Sequence, residues 1–296
     1  MPGNEPAYVF MTDSDSDLPY RYVDELDISM VYMPYMLDGQ EYLDDLGRGG
    51  KQKEFFDNMR RGAVPVTSLL PTGAYVEYFE PCFQAGKDIL FLAFSSQLSG
   101  TIANIYTARD ELKAKYPDRR LVVVDTLSIS APQFILILRA YELYRQGAPL
   151  DEVAAWTEEN KLKAHAWVTV EDLKYLRRGG RISAMAATMG TMMDLKPIIV
   201  ESREGKMVNA DKVRGRKAAL RYIADKTAEN ILDPENQTLV IIHADALEDA
   251  ARLETLIRER IPELKAVEIM FVGPVIGAHC GPGTVAACFM GKERPL

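Results

Sequence analysis

Short runs of Val, Ile, Leu and Phe recur along the chain: YVFMT at 8–12, ILFLAF at 89–94, LVVVD at 121–125, then AWVTV, PIIV, LVIIHA and AVEIMFVG. Their brevity and β-branched content read as buried strands. Between many of them lie stretches with helical spacing, such as IANIYTARDELKAKY, where Ile102, Ile105, Tyr106, Arg109 and Leu112 recur three to four apart. Strands alternating with such helices predict an α/β fold, a mostly parallel open sheet flanked by helices. The first half of the chain carries this pattern.

A helical stretch from about Pro132 to Lys163 precedes a new set of strands, and 296 residues are enough for two cores. The boundary is therefore placed there, with an N-terminal α/β domain over 1–162 and a C-terminal α+β domain over 163–296. The α+β character comes from PIIVESREGKMVNADKV, a hairpin pattern turning at Glu204-Gly205; no antiparallel feature is evident in the first half. The last segment is free to return to the surface between the domains.

Composition narrows the function. A net charge of −8 argues against general affinity for nucleic acid or anionic lipid surfaces, because neutralising phosphate needs excess Lys and Arg. Cys82, Cys280 and Cys288 form no C-x-x-C pair and are odd in number, so no disulfide framework or zinc spacing is supported and a reducing cytoplasm is expected. No apolar run approaches the roughly 18 residues of a membrane span, and MPGNEPAYVFMTDSD lacks the basic start and apolar core of a signal peptide. Neither stable membrane insertion nor export by that route is expected.

The chemistry concentrates at strand ends. FSSQLSGT, residues 94–101, follows the run DILFLA and offers the hydroxyls of Ser95, Ser96, Ser99 and Thr101, more than one helix cap requires. VPVTSLLPTG, residues 64–73, repeats the theme with Thr67 and Ser68 ahead of Pro71. In an open parallel sheet, ligands gather where strands end and helices begin, so two such loops can converge on one polar head group. His279, in GPVIGAHCGPGT, is placed to donate to an anion held by hydroxyls.

Two enzymatic alternatives stand beside this reading. TDSDSDLP at 12–19 fits a calcium loop poorly but places Asp13 after a strand, as in a magnesium-dependent phosphatase nucleophile. No downstream lysine and acidic pair completes that reaction. Ser96 with His279 allows a serine hydrolase, although a G-x-S-x-G elbow is absent and no third orienting residue is identified. LKYLRRGGRIS, with Arg181, and DKVRGRKAALR, with Arg214, are locally basic. Each suits a helix end or a docking patch for a phosphate-handling partner. Met185 and Met189, in AMAATMGTMMD, are adaptable side chains suited to lining an apolar tunnel.

Taken in order, TDSDSDLP, VTSLLP, SSQLSGT, VVVDT, LKYLRRGGRIS, LKPIIV and GAHCGPG resemble the DegV family of bacterial fatty-acid-binding proteins across almost the whole chain. The resemblance implies a two-domain α/β fold enclosing one long-chain fatty acid, with no cofactor, no metal and no catalytic residue. It implies a carrier rather than an enzyme. Family members with an assigned role resemble the carrier component of a fatty acid kinase, presenting the acid to a separate ATP-dependent kinase subunit that makes acyl-phosphate. At matching positions the carboxylate contacts are Thr67, Ser68, Ser95, Ser96 and His279, while Arg181 and Arg214 serve kinase docking or the new phosphate. This chain departs from the family at Ile102, where Tyr is common, and at TLSISAPQF, which replaces a Gly-containing helix start. Both departures bear on tunnel shape and chain-length preference.

Overall fold

The structure, a computed structural model, describes residues 7–182 and 194–296. The first half runs β1 (Tyr8–Asp13), α1 (Tyr20–Leu26), β2 (Ser29–Val31), β3 (Pro34–Leu37), β4 (Gln40–Leu43), α2 (Gln52–Arg60), β5 (Val66–Thr67) and α3 (Thr72–Gln84). It continues with β6 (Asp88–Ala93), α4 (Thr101–Lys115), β7 (Leu121–Asp125), α5 (Ser130–Arg145) and α6 (Leu150–Asn160). The second half runs β8 (Ala164–Thr169), α7 (Lys174–Gly179), β9 (Leu195–Glu201), β10 (Met207–Arg214) and α8 (Arg216–Asn230). It ends with β11 (Thr238–His243), α9 (Leu247–Arg260), β12 (Ala266–Phe271), α10 (Pro274–Cys280) and β13 (Val285–Met290).

The first sheet is parallel throughout, in the order β2-β1-β6-β7. Strand β6 is buried on both faces because its alternate residues serve different layers. Ile89 and Phe91 pack with Tyr75 and Phe79 of α3 and Ile105 of α4. Leu90 and Leu92 belong to the core that contains Phe134 and Ile137 of α5. The α/β expectation is met here.

Two local expectations fail for identifiable reasons. The helical stretch expected over 132–163 is two helices, because Gly147 turns at φ +87° and Pro149 starts the second. The first half also has an antiparallel element, a three-stranded sheet β4-β3-β5. Its β3–β4 turn is Asp38-Gly39, both at positive φ, the two-residue loop that matches strand twist.

The second sheet is mixed, in the order β10-β9-β8-β13-β11-β12, with only β11 and β12 parallel. Gly205 stands in the turn of the expected β9–β10 hairpin, at φ +82°. Period-2 alternation divides this sheet's faces. Trp167, Ile241, Ala287 and Phe289 pack under α8 and α9. Ala166, Val168, Ile242, Ala286 and Cys288 join the core that includes α5 of the first half.

The halves are locked where the β9–β10 hairpin meets the loops after β6 and β7. Ser95 Oγ donates to the Gly205 carbonyl at 2.8 Å, and a Cβ on Gly205 would stand 2.6 Å from that oxygen. Glu201 accepts from the Ile129 N–H at 3.0 Å and pairs with Arg294 at 2.8 Å, both side chains 1% exposed.

Candidate functional site

A cavity with about 1080 Å³ of space free of protein atoms, part of it open to solvent, lies between the two halves. Its apolar wall is the face of the second sheet that carries Ala166, Val168, Ile242 and Ala286, opposed by Met33, Phe94 and Pro132. Such a shape, apolar with a few convergent polar groups, suits a lipophilic ligand with a polar head.

The polar groups come from different elements. Thr67 and Ser68 stand at the end of β5, held by pairing of Thr67 with Tyr35. His279 lies in the last turn of α10, and its Nε2 shares a 2.8 Å hydrogen bond with Thr67 Oγ1. Its Nδ1 is buried without a partner among the described residues. That nitrogen faces Gly179, where a Cβ would stand only 2.2 Å away, so the end of α7 must be bare for the imidazole to fit. Burial, then the guanidinium groups of Arg181 and Arg178, push His279 down to about 4, leaving it neutral at pH 7.

Arg181 also lines the cavity, its Nε donating to the Leu98 carbonyl at 3.2 Å. Ser99 lines the wall near Leu98, and Asp15 and Ser130 complete its polar lining among the described residues together with Thr284. The residues expected from sequence therefore separate. Thr67, Ser68, His279 and Arg181 are brought together at the cavity.

Ser95 and Ser96 stand outside its wall. The Ser95 hydroxyl is committed to Gly205, while the Ser96 N–H donates to Asp125 at 3.2 Å and its Oγ accepts from Gln97. Arg214 is exposed at the end of β10. Met185 and Met189 lie outside the described residues. Asp15 and Ser130 were legible only as turn and helix-start residues.

The enzymatic alternatives lose their geometry. Asp13 is fully buried, is not part of the cavity wall and accepts from the Phe94 N–H at 3.1 Å and Gln133 Nε2 at 3.3 Å, so it is not presented to a ligand in the cavity as a nucleophile would be. The hydroxyl paired with His279 is that of Thr67, not Ser96. Among the described residues, no group of three or more His, Cys, Asp or Glu is arranged to hold a metal ion, and no helix is long and apolar enough to cross a membrane.

Burial also sets the pH response expected of this protein. It raises Asp13, Asp17 and Glu201 each to about 7, the last despite Arg294. A carboxyl raised on folding stabilises the fold fully below its unfolded value, near pH 4, and loses that contribution as pH rises through the folded value. Asp15 and Asp44, also raised by burial, add to the carboxyl side, while His279, His165 and His243, all pushed down by burial, work oppositely as pH falls below about 6.5, so the carboxyls outnumber the imidazoles. Urea unfolding should therefore show a higher midpoint at pH 5.5 than at pH 8; a lower midpoint at pH 5.5 would contradict these assignments.

Comparison with known proteins agrees with this architecture. A family model described as "uncharacterised protein, DegV family" matches residues 8–292. A DegV domain-containing protein of Clostridium perfringens is 39% identical over 287 residues, 97% of this chain and 98% of its own. A DegV family protein from Thermus thermophilus, described for its fatty acid binding, matches with a TM-score of 0.85 at 28% identity, over 97% of this chain and 100% of its own. A fatty-acid-binding DegV protein from Streptococcus agalactiae matches at 0.83 and 27%, over 98% and 100%. With the family model covering nearly the whole chain and the two-domain fold shared, the chain belongs to the DegV family.

Proposed function

We propose that this protein binds one long-chain fatty acid in the interdomain cavity and, as a cytoplasmic carrier without turnover of its own, presents it to a separate ATP-dependent kinase for acyl-phosphate formation. The observation that carries the binding reading is the apolar cavity with Thr67, Ser68 and His279 gathered at one place on its wall. The fatty-acid-binding relatives support the ligand class. The kinase step is supported by the motif resemblance, and the acyl-phosphate would feed phospholipid synthesis. Arg181 and Arg214 remain the proposed groups for kinase docking or the new phosphate.

Chain and head group have different jobs. Burying about 15 methylenes at roughly 0.8 kcal/mol each supplies on the order of 12 kcal/mol before ordering costs. One hydrogen bond to a charged group nets about 1.5–3 kcal/mol. Retention therefore rests on the apolar wall, while Thr67, Ser68 and His279 orient the carboxylate. Ser95 keeps its place as a support of the β9–β10 turn, and Ser96 as a neighbour of that support.

Native mass spectrometry of freshly purified protein should show a non-covalent increment matching a fatty acid. A uniformly empty protein that also takes up no hexadecanoate would overturn the binding reading. With a reconstituted kinase, Thr67→Val should lower acyl-phosphate formation about tenfold or more while weakening hexadecanoate binding less, since one head-group bond is lost and the chain contacts stay. Normal phosphorylation by this variant would remove Thr67 from the head-group site.

A further inference from the structure

The cavity contains one polar group that the fatty-acid reading leaves unused. Asp15 lines the wall, is 4% exposed, and its Oδ1 has no hydrogen-bond partner among the described residues. A buried carboxyl oxygen without a partner is costly, and here it belongs to a residue on the wall of the space a ligand would fill.

Its surroundings decide its charge. Asp13 at the end of β1, Asp17 in the following turn and Asp44 just after β4 all act on Asp15 as like charges. Tyr75 of α3 adds a buried phenol nearby, and the His279 imidazole of α10 is neutral at pH 7. Arg181 opposes the carboxylates. Burial and the neighbouring carboxylates together hold Asp15 well above the usual carboxylate range.

An incoming fatty carboxylate adds one more negative charge beside Arg181. Two ionised carboxyls in one buried site repel strongly, and sharing a proton replaces that repulsion with a charge-assisted O–H···O bond. We infer that Asp15 is a head-group residue whose free Oδ1 shares one proton with the carboxylate of the bound acid, so that the pair carries a single negative charge against Arg181. The inference rests on the fatty-acid reading above.

The consequence is linkage between binding and protons. The proton balances simply: one is taken from solvent when the acid binds to protein with ionised Asp15, and it is returned on release. Above the pH at which Asp15 ionises in the free protein, the Kd should rise about tenfold per pH unit. Decanoate is a suitable probe because it is soluble and fully ionised over the range used, and 1-decanol is its counterpart without a charge.

Calorimetry of decanoate binding from pH 6 to 9.5, in buffers of different ionisation enthalpy, should show uptake approaching one proton and the corresponding rise in Kd. Binding of 1-decanol should show neither. Asp15→Asn, which cannot ionise, should remove the slope, so that its advantage over the unmodified protein in decanoate binding grows about tenfold per pH unit wherever the unmodified protein shows the slope. Decanoate binding with a flat Kd and no proton uptake would overturn the role of Asp15 while leaving the fatty-acid reading intact. An equal pH slope for 1-decanol would also overturn it. Failure to bind either decanoate or hexadecanoate would overturn the reading beneath it. The measurements on the unmodified protein decide the matter even where the variant fails to fold.

Discussion

Arg294→Ala is expected to destabilise the protein by about 3–5 kcal/mol, the usual cost of leaving one member of a buried ion pair alone. Nothing around this residue can relax into water, since Arg294 is 1% exposed. Its guanidinium joins three separate segments. Nε donates to the Ala164 carbonyl at 2.8 Å, Nη1 to Leu127 at 2.7 Å and to Ser202 at 3.1 Å, and Nη2 meets Glu201 at 2.8 Å. Leu127 belongs to the loop after β7 in the first half, and the others to the second half. Truncation therefore unties the halves and strands the Glu201 carboxylate.

The loss should depend on pH in a definite direction. Without Arg294, Glu201 moves further above the usual carboxylate range, so the variant loses most at pH 8 and less at pH 5.5, where Glu201 is neutral. The double variant with methionine at positions 201 and 294 should be more stable than Arg294→Ala, because no buried charge is left unpaired. Urea unfolding of the three proteins measures all of this. A cost for Arg294→Ala within about 1 kcal/mol, the range of an exposed pair, would show that the clamp does not hold the halves together.

This clamp marks the limit of what the sequence reveals. The strands were legible because buried runs such as DILFLA have no other economical use, and the strand-end loops followed from them. Thr67 and His279 were legible as hydroxyl and imidazole in separate loops, although nothing in their spacing says that they touch. Arg294 was not, because an Arg near a chain end reads as solvent-exposed and only tertiary contacts bury it. The bond made by Ser95 was hidden for a related reason. Adjacent serines look interchangeable in a ligand loop, yet the Ser95 hydroxyl is consumed by Gly205, from a hairpin 110 positions away. Asp15 was hidden by its own turn, since alternating Asp and Ser suggest local capping whether or not the carboxyl is buried. The hairpin at Asp38-Gly39 had a local signal of its own, the dipeptide between two short strand patterns.

Ala286→Phe is expected to leave the fold intact and to shorten the acyl chain that the protein accepts. Ala286 sits on β13, opposite Ile242 of β11 and Val168 of β8, and all three line the cavity. The added ring enters existing space, so the overpacking cost of about 1–3 kcal/mol that a filled core would impose is largely avoided. A phenyl ring takes about the room of four methylenes, each worth about 0.8 kcal/mol. Hexadecanoate should then bind roughly 200-fold more weakly, the equivalent of about 3 kcal/mol. Dodecanoate, four carbons shorter, should lose much less, so the preference between the two acids shifts toward the shorter one. Competition between the two acids on folded variant protein tests this directly. Equal weakening of both would point to a damaged head-group end, and undiminished hexadecanoate binding would remove the acyl chain from this part of the cavity.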